Sequence, residues 1–213
     1  MANLIQKLKT IENRIIMFGK LSIFKYLFYF LFYFCVSYVF KSWFLIAIAI
    51  YSLCICFAKA NCIRGLSKNQ DELKDCESYI RGGAILTGSS IFYLIFIVYQ
   101  AITPTSFQYS FIVAIAIALY AFYNIVVAVF GLITSKGRTL LVKEYKLTNF
   151  AIAFNNMLIA QIAISSFIAD SNSMYYNLLL GTICGAITLL IGIYLIFDGR
   201  KKQRRCKFKQ ENK

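Results

Sequence analysis

The chain has no histidine. Its absence excludes zinc sites of the H-E-x-x-H type, serine–histidine nucleophile pairs and any imidazole proton shuttle. Acidic residues are scarce as well, nine Asp and Glu against 23 Lys and Arg. All nine fall at or beyond the ends of the apolar runs, with Asp170 and Asp198 coming closest. No buried carboxylate is therefore expected for proton coupling or for a lipid-phosphate metal site. No C-x-x-C pair occurs, and Cys54 and Cys56 point about 200° apart on a helix, so neither redox nor chelating chemistry is expected of the seven cysteines. No glycine-rich phosphate loop is visible; Gly82-Gly83 opens an apolar run and reads as an aid to packing. No cofactor and no metal is expected. Proline occurs once, and 60% of the residues are hydrophobic against 15% charged, a balance well outside that of soluble domains.

What the chain has instead is length in its apolar runs. Six stretches, at about 21–40, 43–60, 82–102, 109–134, 147–169 and 176–197, each reach the 18 or more residues needed for a hydrocarbon layer roughly 30 Å thick. Helices satisfy their own backbone in lipid, and no stretch shows the alternation of a barrel strand. The fold expected is all-α, a polytopic membrane protein of six transmembrane helices. Basic residues crowd the N-terminal segment, the 61–81 loop, the 135–146 loop and the tail, while the 103–108 and 170–175 turns have none. Both termini are therefore expected on the cytoplasmic side, with Lys41 as the one exception. The net charge of +14 is a topology signal on this reading, and nucleic acid is not expected as a partner.

The expected organisation is an interfacial amphipathic helix over 1–20, an aromatic-rich hairpin over 21–60, a cytoplasmic loop over 61–81, a four-helix core over 82–198 and a basic tail over 199–213. In the first segment Leu4, Leu8, Ile11, Ile15 and Phe18 recur at spacings of four and three, which places them on one face. The rings crowding 24–44 are too large for close backbone approach on all sides, so that hairpin is expected to flank the bundle. Asn69, with Glu72 three positions on, is the expected cap of the helix that leads into the third run. In the tail, Arg200, Lys201, Lys202, Arg204 and Arg205 follow the last apolar run directly and are expected to contact anionic lipid, each gaining about 1 kcal/mol near such a leaflet.

The fifth run raises a separate question, because "FNNMLIAQIAISS" puts two asparagines and a glutamine at membrane depth. Asn149, Ala153, Asn156, Ala160 and Ala163 follow the four-three alternation of a helix-packing seam, as do Gly181, Gly185, Thr188 and Gly192 in the sixth run and Ala114, Ala118, Ala121 and Ala128 in the fourth. Interhelical bonds from such amides are worth roughly 0.6–2 kcal/mol each. Asn155 lies about 110° off that seam and Gln161 well round the other side, so the helix is polar on several faces. A central position in the bundle is expected, against protein or a wet cavity. Asn124, Tyr120 and Tyr123 of the fourth run and Ser89, Ser90 and Tyr93 of the third are candidate neighbours.

The stretches "DELKDCESYIRGGAILTG", "ALYAFYNIVVAVFGLITSKG", "KEYKLTNFAIAFNNMLIAQIAISSF" and "LLLGTICGAITLLIGIYLIF" resemble an uncharacterised family of small six-span membrane proteins of Gram-positive, Firmicutes-type bacteria, over roughly residues 60–200. The resemblance implies six spans and a bacterial cytoplasmic membrane, and carries no functional residues. Three functions are open. One is non-enzymatic binding or passage of a neutral or lipidic ligand, with Asn124, Asn155, Asn156 and Gln161 as contacts and a cavity beside the fifth helix. Another is an accessory, regulatory or immunity-type subunit acting through helix contacts, with a membrane protein partner or a second copy. The third is a membrane enzyme, which would need its nucleophile and base from Ser, Cys, Tyr or Lys.

Overall fold

A computed structural model describes the backbone of residues 2–40, 43–67, 71–102, 110–134, 139–165 and 173–211, with side chains from 13 onward except at 14, 40, 44, 100, 101, 173, 174 and 211. Six helices follow one another: α1 (Ala2–Phe40), α2 (Trp43–Ser67), α3 (Glu72–Ile102), α4 (Phe111–Ile133), α5 (Leu140–Ser165) and α6 (Ser173–Glu211). All six are long and apolar enough to cross a membrane, and there is no strand among the described residues.

The helices are longer than their apolar runs. α1 and α6 have 39 residues each, about 58 Å at 1.5 Å per residue, nearly twice the hydrocarbon thickness. No break at residue 20 separates an interfacial helix from the first span; α1 is continuous. The side chains of Leu4, Leu8 and Ile11 lie outside the described residues. The segment expected as a loop over 61–81 is helical over 61–67 and 72–81, and α5 begins at Leu140, seven residues before its apolar run. Polar residues do not end a helix if its first turn is closed, and here backbone carbonyls close it. Asp71 O accepts from Lys74 N and Asp75 N at 2.9 and 3.1 Å, and Thr139 O accepts from Lys143 N at 3.2 Å. Asn69, the expected cap, lies outside the described residues, as do Lys41, the 103–108 turn and Asp170.

α5 occupies the middle, touching α2, α3, α4 and α6. Of its 26 residues 13 are buried, on two faces. Ala153, Ala160 and Ala163 follow the expected seam with Asn149 and Asn156 half-buried beside them, while Leu141, Tyr145, Thr148, Ile152, Asn155 and Ile162 form a second buried stripe. The hairpin expected as a flank divides in two. Of the apolar window of α2, 61% is buried, against 17% for α1 and for α4, so α2 is an inner helix and α1 and α4 are outer ones.

The closest pairing is between α3 and α6, which run antiparallel through their glycines. A Cβ on Gly192 would stand 2.8 Å from Thr87 N and 3.1 Å from Gly83 O, and one on Gly83 would stand 3.0 Å from Gly192 O. Gly181 and Gly185 likewise receive Ile97 and Leu94. Removing a side chain here lets two backbones meet, which maximises dispersion contacts where no hydrophobic force acts between helices.

Candidate functional site

Because α1 and α4 share no extensive contact surface, a space remains between them, backed by α2 and α5. Its volume is about 540 Å³, within the roughly 300–1,000 Å³ of small-molecule sites. Helical periodicity sets each wall. α1 contributes Tyr26, Tyr29 and Tyr33 with Phe28 and Phe32, and α2 contributes Ile48, Tyr51, Ser52 and Ile55. From α4 come Val113, Ala116, Ile117 and Tyr120, and from α5 Ile152, Asn155, Asn156 and Ile159. Successive tyrosines on α1 pack edge to face, Tyr26–Tyr29 at 5.9 Å and Tyr29–Tyr33 at 6.2 Å between centroids, so that wall is stiff.

The polar groups on this wall differ in how they are satisfied. Ser52 Oγ donates to Ile48 O at 2.8 Å, within its own helix. Among the described residues neither Asn155 nor Asn156 has a hydrogen-bond partner, although Asn155 is only 9% exposed. Asn155 also borders a tightly packed polar node of Tyr51, Ser90, Tyr93, Cys184 and Thr188. There Ser90 Oγ donates to Leu86 O at 2.7 Å and Thr188 Oγ1 to Cys184 O at 2.9 Å, each within its own helix, while the buried Tyr51 and Tyr93 hydroxyls have no hydrogen-bond partner among the described residues. The other two expected contacts are elsewhere. Asn124 donates to Tyr120 O at 2.8 Å along α4, and Gln161 donates to Ser165 Oγ at 3.3 Å, which in turn donates to Asn177 Oδ1 at 3.2 Å, tying α5 to α6. Neither residue borders the cavity.

At one end of the cavity α1 and α4 are joined by side chains. Lys25 Nζ donates to Tyr120 OH at 2.7 Å, Tyr29 OH lies 3.5 Å from the same oxygen, and the ammonium sits 4.9, 5.7 and 5.5 Å from the ring centroids of Tyr26, Tyr29 and Tyr120. A second lysine lies behind. Lys59 is 2% exposed, donates to Ser22 Oγ at 2.6 Å and sits 4.7 Å from the Tyr26 ring and 5.1 Å from that of Tyr145. Aromatic faces replace part of the hydration each ammonium loses. Lys59 lies near the end of the second apolar run, 43–60, and only the fold shows that it points inward.

Acidic chemistry is also present inside the bundle, which overturns the expectation of no buried carboxylate. Glu144 is fully buried, and neither of its oxygens has a hydrogen-bond partner among the described residues. A Cβ on Gly82 would overlap its carboxyl group, so Gly82 exists to make room for it. The nearby Asn61 amide donates to Ser78 O at 2.8 Å. The signal was in the sequence: Leu141, Tyr145, Thr148 and Ile152 extend the buried stripe of α5 back through the charged segment and carry Glu144 in with them. Asp198, by contrast, is paired, with Lys143 and Lys202 at 3.2 Å each and Tyr79 OH donating at 3.2 Å, while Lys143 also donates to Tyr194 OH. Lys202 is thus committed to an ion pair, whereas Arg200, Lys201, Arg204 and Arg205 are exposed along the last turns of α6. Comparison of the chain with protein-family models, with curated proteins and with solved structures finds no match.

Proposed function

We propose that this is a multi-pass protein of a bacterial cell membrane, with both ends cytoplasmic, that binds a neutral or lipidic ligand in the cavity between α1, α2, α4 and α5, or passes it across. The observation that carries the reading is the pair of amides, Asn155 and Asn156, without hydrogen-bond partners among the described residues, on a largely aromatic and aliphatic wall. An amide removed from water without a partner is unfavourable by about 1–3 kcal/mol on protein scales. Two of them side by side fit a ligand that supplies the missing bonds, and the apolar remainder fits a lipidic or aromatic body. The basic ends of the helices support the orientation and contact with anionic lipid at the tail through Arg200, Lys201, Arg204 and Arg205.

Native mass spectrometry of the protein released from its own membrane in mild detergent tests the reading. A co-purifying non-protein mass is expected on wild type and absent from Asn155→Leu/Asn156→Leu. A bare chain in both forms overturns it.

A further inference from the structure

We infer that the ligand is an amphiphile with a single oxyanion head, a carboxylate or phosphate on an acyl chain, and that Lys25 receives that head. This rests on the cavity reading above and narrows it.

Lys25 lies inside the candidate span Ile15–Val39 of α1, early in the apolar run that begins near residue 21. Among the described residues no carboxylate lies in ion-pair range of it or of Lys59. A cation within an apolar span is unfavourable, and such residues face protein interiors or polar cavities or reach toward the membrane surface. Here the ammonium reaches the cavity through Tyr120 and Tyr29, both of which border it, and among the described residues its one hydrogen-bond acceptor is the Tyr120 phenol. Lys59, sharing the Tyr26 ring, places a second amine behind the first.

The chemistry of exchange follows. A hydrogen bond from an ammonium to an oxyanion is roughly twice as strong as one between neutral groups. An incoming head therefore displaces Tyr120 from Lys25. The same bond is one of the side-chain ties between α1 and α4, helices that otherwise do not pack together, so its loss opens the cavity sideways between them. The acyl chain then lies along Phe28, Phe32 and Val113. Tyr120→Phe removes the competing acceptor and leaves the ammonium in place.

The test is binding to the purified full chain in lipid nanodiscs of phosphatidylcholine, with three probes sharing a sixteen-carbon chain: palmitate, hexadecyl phosphate and hexadecanol. Wild type is expected to bind both acids at least about tenfold more tightly than the alcohol. The ratio of the two acids tells which oxyanion the site takes. Lys25→Gln is expected to erase the preference, Lys25→Arg to keep it, and Tyr120→Phe to raise the ratio of acid to alcohol affinity. Equal binding of acid and alcohol by wild type, or a preference that survives Lys25→Gln in protein of unchanged melting temperature, overturns the assignment and leaves the cavity reading standing. Binding of none of the three overturns the oxyanion assignment, while the cavity reading is decided by the native mass spectrometry above.

Discussion

Glu144 shows how one residue constrains another across the bundle. Its carboxyl group fills the space that a side chain on Gly82 would take, and nothing among the described residues bonds to it. Gly82→Ala must therefore displace a group enclosed on every side, and it is expected to lower stability by about 1–3 kcal/mol, the usual range for overpacking. If the overlap is the cause, the effect depends on Glu144. In Glu144→Ala the added methyl enters vacated space, so Gly82→Ala in that background is expected to be neutral or stabilising, with a coupling of about 1–3 kcal/mol between the sites. Thermal unfolding of the four proteins in one detergent measures it. Additive effects would place the carboxyl elsewhere. Sequence alone hid this pair because Glu144 stands among Lys143, Lys146 and their neighbours, a run whose charge density reads as loop. The amides Asn155 and Asn156 were legible, since polar groups at mid-run have few innocent positions. Gln161 and Asn124 looked equivalent to them, and only the contacts within and between helices show that those two are satisfied.

At the scale of elements, small residues predict which helix faces meet but not which helices. The glycines of α6 are buried as their spacing implies, yet the partner they meet is α3, and its matching Gly83 and Thr87 were not part of any repeat. Two glycines, one on α3 and one on α6, make the point testable. Gly88 has nothing within 4 Å of the position a Cβ would take, while across the pair a methyl on Gly192 meets backbone atoms of α3. Gly88→Ala is expected to be neutral or to stabilise by up to about 1 kcal/mol through helix propensity. Gly192→Ala gains the same propensity term and is still expected to destabilise, because the two backbones must separate and their dispersion contacts weaken together. Melting temperatures of the two variants should move in opposite directions. A parallel shift would mean that α3 and α6 do not approach as closely as described. Helix ends were the least legible feature, for a physical reason. Hydropathy reports where lipid can lie, whereas a helix continues into water wherever its backbone and side chains allow, as α5 does from Leu140 and α6 does to Glu211.

For the molecule as a whole, the distribution of charge and the length of α6 make orientation measurable with the native cysteines. Cys206 lies on the basic extension of α6, half-buried, with its thiol 3.6 Å from Glu72 Oε2 at the start of α3. Both belong to the end of the bundle that carries Arg204 and Arg205. Cys56, Cys62, Cys76 and Cys184 are buried, and Cys35 is exposed on α1 among apolar residues, where a charged reagent in lipid has no access. Cys54 is half-buried but lies within the apolar run of α2, so a membrane-impermeant maleimide should report almost solely on Cys206. With both ends cytoplasmic, intact cells are expected to leave the thiol unlabelled, and lysed cells or inverted vesicles to label it. Cys206→Ser should abolish the signal in the lysate. Replacing Thr105, in the turn expected on the opposite side, with cysteine in that background should reverse the pattern. Labelling of Cys206 from outside intact cells would invert the whole assignment. It would also invert the depth of Lys25, since the oxyanion site would then open toward the other leaflet.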